Sequence, residues 1–194
     1  MRTLIAVSRA RQATLAVALL LACQGACGSS GDSDGARALA GELGAAELRP
    51  DPARFDVRKA LIDGELRPAI AVPPLSRITW SLRLPARPVL HAWLAAETDC
   101  PARAARIGFR VGISDGRVYE DLLVKSVTAV EPRALRWDPV TIDLTKYSGF
   151  KWSLFYHPSR ITWRITFNTA PLGDLSPDCL PRPFWGAPAV APKG

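Results

Sequence analysis

The strongest constraint on the fold is a strict two-residue alternation. Residues 161–168 set Ile161, Trp163, Ile165 and Phe167 against Thr162, Arg164, Thr166 and Asn168, and residues 76–84 set Ile78, Trp80, Leu82 and Leu84 against Arg77, Thr79, Ser81 and Arg83. Successive strand side chains point to opposite faces, so each segment predicts a half-buried antiparallel strand with one face toward water. Further strands are predicted at 68–72, 88–95, 107–114, 117–125, 139–144 and 152–156, with a closing segment near 185–190. Eight or nine short strands with proline-bearing connections predict an all-β fold, a two-sheet antiparallel β-sandwich of jelly-roll type.

A two-residue turn is predicted at Asp115-Gly116, where Gly supplies a positive φ. Counting outward opposes Gly112 to Tyr119, Val111 to Glu120 and Arg110 to Asp121. Arg110 and Asp121 then form a cross-strand ion pair, and Tyr119 covers the bare backbone of Gly112. The same count puts Glu120 on the apolar face, where it either reaches the rim or needs a cationic partner.

At the N-terminus, Arg2, Arg9 and Arg11 precede an uncharged apolar run over 13–22 that is too short to span a bilayer. A signal peptide is predicted over residues 1–22. It ends in Leu20-Leu21-Ala22-Cys23, which resembles the lipobox of bacterial lipoproteins. The resemblance implies cleavage before Cys23, lipid on its thiol and residence in the cell envelope, with the membrane as partner through that lipid. Cys27 is the alternative acceptor, with Gln24 then at the apolar position of the motif. Gln24 after the acylated cysteine resembles an outer-membrane sorting signal. Residues 23–48, rich in Gly, Ser, Ala and acids, predict a lipidated flexible tether with a marginal helix in 36–48, leaving 49–194 as the sandwich domain.

The formal charge is +7. Three arginines leave with the leader and the tether is acidic, so the folded part stays basic. Such a field suits anionic lipid, lipopolysaccharide phosphate or acidic polysaccharide, and export argues against nucleic acid. With Cys23 acylated and Cys27 in the tether, Cys100 and Cys179 are the natural disulfide pair in an oxidising compartment.

The run Trp137-Asp138-Pro139-Val140-Thr141-Ile142-Asp143-Leu144-Thr145-Lys146-Tyr147-Ser148-Gly149, then Trp185-Gly186-Ala187-Pro188, with Val72-Pro73-Pro74 upstream, resembles the jelly-roll module found beside bacterial sulfatases and in galactose-binding-like, carbohydrate-binding-type domains. The similarity spans roughly 67–190. It departs from the pattern at Ala187, where the module carries Asp, and at Leu75, where it carries a turn Gly. The matching residues are mostly fold-makers: Asp143 can hold a turn, Tyr147 can pack back on the sheet, and Gly149 can take a left-handed conformation. The resemblance implies a carbohydrate partner. Trp137 and Trp185, which flank turns, and Tyr156, His157 and Arg160 at a strand end are the candidate ligand-surface residues.

Catalytic signatures are missing. His91 and His157 are the two histidines, and no nucleophile elbow, metal-ligand spacing, P-loop or dinucleotide fingerprint occurs. The expectation is a non-enzyme without cofactor or metal: a cell-envelope binding module for carbohydrate or anionic envelope polymer, or alternatively a structural or protein-interaction lipoprotein bound to an envelope partner.

Overall fold

The computed structural model describes residues 35–100, 105–148, 161–176 and 178–194. Cys23, Gln24, Cys27, Tyr156, His157, Arg160 and the strand expected at 152–156 lie outside them. The strands are β1 (Arg37–Ala38), β2 (Glu47–Arg49), β3 (Asp56–Ile62), β4 (Glu65–Ala71), β5 (Ser76–Leu82), β6 (Pro88–Glu97), β7 (Arg106–Ser114), β8 (Tyr119–Thr128), β9 (Asp138–Asp143), β10 (Trp163–Pro171) and β11 (Arg182–Pro192). They form two antiparallel sheets. The first runs β3-β4-β11-β6-β9 with β1 also on β11, and the second runs β2-β5-β10-β7-β8. The orders β4-β11-β6-β9 and β5-β10-β7-β8 are those of a jelly roll, with β3 and β2 added at one side of each sheet.

The inner faces carry the expected alternation. Ile78, Trp80 and Leu82 of β5, Ile165 and Phe167 of β10, Ile107, Phe109, Val111 and Ile113 of β7, and Leu90 and Leu94 of β6 are buried. Trp185 belongs with them and is fully buried, which corrects its expected place on a ligand surface. Its ring sits edge-on to Phe109 at 4.9 Å and tilted against Phe167 at 4.4 Å. The reason is parity: on the central strand β11, Phe184 and Gly186 face outward, so Trp185 faces the opposite sheet.

Residues 37–48, expected in the tether, belong to the sandwich. β1 pairs β11 of the first sheet and β2 pairs β5 of the second. Between them the 3₁₀ segment Leu39–Ala45 buries Leu39, Ala40 and Leu43. A few apolar side chains at helical spacing suffice once both sheets offer a surface, although the isolated segment has no core of its own.

The Asp-Gly signal has two outcomes. At Asp63-Gly64, with φ of 52° and 76°, it makes a two-residue hairpin that opposes Ile62 to Glu65 and creates β3, a strand not expected from the sequence. At Asp115-Gly116 the connection is wider, because Asp115 Oδ1 accepts from the backbone N–H groups of Arg117 and Val118, each at 2.9 Å. The register is therefore not the one counted: Ser114 faces Tyr119, Gly112 faces Asp121, and after a bulge Val111 faces Leu123. Both expected contacts survive, since the first shift is by two residues and preserves the face. Arg110 Nε lies 3.7 Å from Asp121, and the Tyr119 ring covers Gly112.

The same register sends Glu120 inward at the rim, where it finds its cation. Glu120 pairs with Lys146 at 2.5 Å and accepts from the Tyr147 hydroxyl at 2.7 Å. Lys125 reaches Asp138 at 2.6 Å, so two contacts bridge the β8 and β9 sides of the sandwich. Asp143 Oδ1 accepts from Thr145 N–H at 2.8 Å and holds the helical turn Thr145–Ser148, and the Tyr147 ring packs on Trp163 at 5.2 Å. Cys100 and Cys179 form the expected disulfide, with Cα atoms 5.9 Å apart.

A cationic groove on the second sheet

The outer face of the second sheet carries a groove of about 1270 Å³. Register places its side chains in rows across the strands. Arg49 opposes Arg77, Arg77 opposes Asn168, Asn168 opposes Arg110, and Arg110 opposes Val124. The next row is Glu47, Thr79, Thr166, Gly112 and Asp121, and beyond it Ser81, Arg164, Ser114 and Tyr119. These are the polar halves of the same alternation that builds the core.

The floor is tied by hydrogen bonds between side chains. Thr79 Oγ1 and Thr166 Oγ1 are 3.2 Å apart, and Arg77 Nε donates to Asn168 Oδ1 at 2.9 Å. The carboxylates at the two ends of the middle row are engaged: Glu47 accepts from Arg164 at 2.8 Å, and Asp121 accepts from the Tyr119 hydroxyl at 3.0 Å. Partial burial, then the Asp121 carboxylate, raises the Tyr119 phenol above its ordinary range against the opposing pull of Arg110 and Arg77, so Tyr119 stays a donor. Leu75, Val124 and Leu172 are exposed along the groove and supply apolar surface. Bare backbone at Gly108 lets Leu172 lie close over β7.

Glu47 and Asp121 are the carboxylates in the groove's rows, against Arg49, Arg54, Arg77, Arg110 and Arg164. Glu47 and Asp121 stand four strand spacings apart, roughly 19 Å at ~4.8 Å per strand. Glycoside hydrolysis needs two carboxyl groups within roughly 10 Å, so this pair is not arranged for it.

Trp137 is half-buried on the outer face of the first sheet, away from the groove. Its indole lies over Gly186, and its Nε1 points to Glu65 O at 3.5 Å. It covers a small apolar cluster of Ile62, Ala69, Ala71, Ala95, Leu135 and Phe184. Trp137 therefore seals that face, and with Trp185 in the core neither expected tryptophan lines the groove. His91 sits on the same outer face, 3.2 Å from Thr141 Oγ1. Among the described residues no group of three or more His, Cys, Asp or Glu side chains is placed to hold a metal, and no helix is long and apolar enough to cross a membrane.

The groove was legible in part. Its residues are the outward partners in the two alternating strands, an Arg and Thr face with Asn168 and no acid over 77–83 and 162–168. A solvated strand face ordinarily mixes both charge signs, and that imbalance was the available signal.

No protein-family model matches this chain, and no curated protein does. Solved structures do share its outline. The N-terminal cellulose-binding domain of Cellulomonas fimi β-1,4-glucanase C is 15% identical, covering 78% of this chain and 97% of that one at a TM-score of 0.37. A family 61 carbohydrate-binding module solved with β-1,4-galactotriose is 12% identical over 78% of this chain and 90% of that one, at 0.41. The K1 cleaved adhesin domain of Lys-gingipain from Porphyromonas gingivalis is 14% identical over 77% of this chain and 99% of that one, at 0.42. With TM-scores below 0.5, these likenesses bear on neither the ligand nor the site.

Proposed function

We propose that this chain is a non-catalytic binding module of the bacterial cell envelope that holds a polysaccharide on the outer face of its second sheet. The observation that carries this is the groove itself, about 1270 Å³ across the strands of one sheet. Its floor offers hydroxyl, amide and guanidinium groups at strand spacing, held by Thr79–Thr166 and Arg77–Asn168 contacts before any ligand arrives. Groups fixed on paired strands lose little freedom on binding, which favours a weakly apolar, many-hydroxylated ligand. Tyr119, Val124, Leu75 and Leu172 supply surface for the C–H faces of sugar rings.

The lipobox-like Leu20-Leu21-Ala22-Cys23 supports delivery by a lipid on Cys23, with Gln24 favouring the outer membrane. The spacer is then the chain between Cys23 and Arg37. The resemblance of residues 67–190 to modules beside sulfatases fits a role alongside a polysaccharide-processing system.

The test is a groove block. Thr166 faces outward in the middle of the floor, and Ala170 faces outward beside Gly108. Thr166→Trp and Ala170→Trp fill the groove with bulk and leave the arginines in place. Affinity gel electrophoresis of the full chain in detergent, against xylan, laminarin, galactan, alginate and polygalacturonate, is expected to show retardation by at least one polymer and its loss in both variants. Undiminished retardation in variants whose circular dichroism is unchanged refutes the site.

A further inference from the structure

We infer that the groove selects an acidic polysaccharide, its anionic groups taken by Arg49, Arg77 and Arg110, which deepens the proposed function and rests on it. The three arginines share one face and one register row, with Asn168 between the second and third. At ~4.8 Å per strand, Arg77 and Arg110 stand roughly 10 Å apart, comparable with one disaccharide repeat of an extended polymer.

Arg49 and Arg77 are direct cross-strand partners on the same face. Like charges directly opposite destabilise a sheet, and a bound anion removes that penalty. Among the described residues, neither Arg49, Arg54 nor Arg77 has a carboxylate within 4.0 Å, whereas Arg37, Arg58, Arg67, Arg136 and Arg182 outside the groove each do. Arg83, Arg87, Arg106, Arg117 and Arg133 also have none there, but they do not belong to this row. Arg77 is held through Nε by Asn168, which leaves its two terminal nitrogens free to meet an anion as a fork. Arg110 is held loosely, 3.7 Å from an Asp121 that Tyr119 already engages.

The aromatic content points the same way. Tyr119 is the exposed aromatic side chain lining the groove, since Phe109 belongs to the core beneath. Neutral glycans depend on aromatic faces for much of their affinity in such sites, and charge-assisted hydrogen bonds are the resource this groove has instead.

Isothermal titration of the full chain in detergent tests this with two matched pairs: polygalacturonate against its carboxyl-reduced neutral form, and dextran sulfate against dextran. At least one acidic polymer is expected to bind and its neutral partner to bind at least about tenfold more weakly. Arg77→Ala and Arg110→Ala should each weaken acidic-polymer binding by about tenfold or more, the scale of one charged hydrogen bond. Arg77→Lys should fall between, keeping charge but losing the fork. Arg133→Ala, in the segment Pro132–Ala134 on the other sheet's side, should change nothing. Preference for polygalacturonate or for dextran sulfate identifies the anion, and either outcome supports the inference. Equal binding of acidic and neutral partners overturns it while leaving the groove reading intact. Arg133→Ala weakening binding as much as Arg77→Ala also overturns it, since the attraction is then that of a basic surface at large. Failure of every polymer, acidic and neutral, sinks this inference and the groove reading together.

Discussion

Gly186→Ala tests whether Trp137 is a structural cover. A Cβ on Gly186 would lie 2.7 Å and 2.8 Å from Trp137 Cζ3 and Cη2, and 3.1 Å from Trp93 Cβ. Trp93 is the register partner of Gly186 on β6, so its Cβ is fixed by the ladder and cannot retreat. The Trp137 indole has to swing away, exposing the cluster of Ala69, Ala71, Leu135 and Phe184. Fully burying a large apolar side chain contributes roughly 1.5–3 kcal/mol, so losing a half-buried indole and its coverage should cost about 2 kcal/mol. Alanine offsets part of this, about 0.4–1 kcal/mol, by restricting the unfolded chain. A net loss of roughly 1–1.5 kcal/mol lowers the melting temperature by about 2–6 °C for a domain of this size. Thermal unfolding by circular dichroism measures it. The decisive comparison repeats Gly186→Ala in a Trp137→Ala background, where the clash is gone and the substitution should be neutral or slightly stabilising. An equal loss in both backgrounds refutes the reasoning.

The remaining predictions are simpler. Replacing Cys100 and Cys179 by Ala opens a loop of 79 residues and should cost roughly 4–5 kcal/mol by the chain-entropy model, read as a shift of the urea midpoint. The carboxyls of Glu120, held down first by Lys146 and then by Tyr147, and of Asp143, held down first by Thr145 and then by Lys193, sit below the ordinary range. Their contribution is present above the ordinary carboxylate range of about 4 and is lost as pH falls through the lower folded values. Acid melting curves of Glu120→Gln should therefore decline less steeply below about pH 4 than those of the parent, and an identical slope counts against the rim contact. Cys23→Ser should abolish metabolic labelling with an alkyne fatty acid, and undiminished label refutes the anchor.

Local pattern was enough wherever a side chain's fate follows from its neighbours in the chain. The alternation at 76–84 and 161–168 placed β5 and β10 and separated their buried and polar faces. The Asp143 turn and the Tyr147 contact were likewise readable, because an Asx turn is closed by residues two apart. Cys100 and Cys179 paired as elimination suggested.

What the sequence could not specify was which distant surfaces meet. Leu39 and Leu43 look like part of a spacer until two sheets present an open end for them to fill. Asp115-Gly116 and Asp63-Gly64 are the same dipeptide, but the Asp115 side chain captures two backbone N–H groups and widens its turn, so register there was decided by a local competition that dipeptide identity does not resolve. Trp185 and Trp137 were both expected beside turns, but Trp185 lies within β11, where strand parity buries it, and the bare backbone of Gly186 seats Trp137. The groove is the clearest case. Arg49, Arg77, Asn168 and Arg110 come from four strands as far apart in sequence as β2 and β10, and only antiparallel register puts them in one row. Side-chain alternation is a property of a single strand, so sequence determined which residues face outward; lateral order and register are properties of the pairing, so the tertiary structure alone decided which of them share a site.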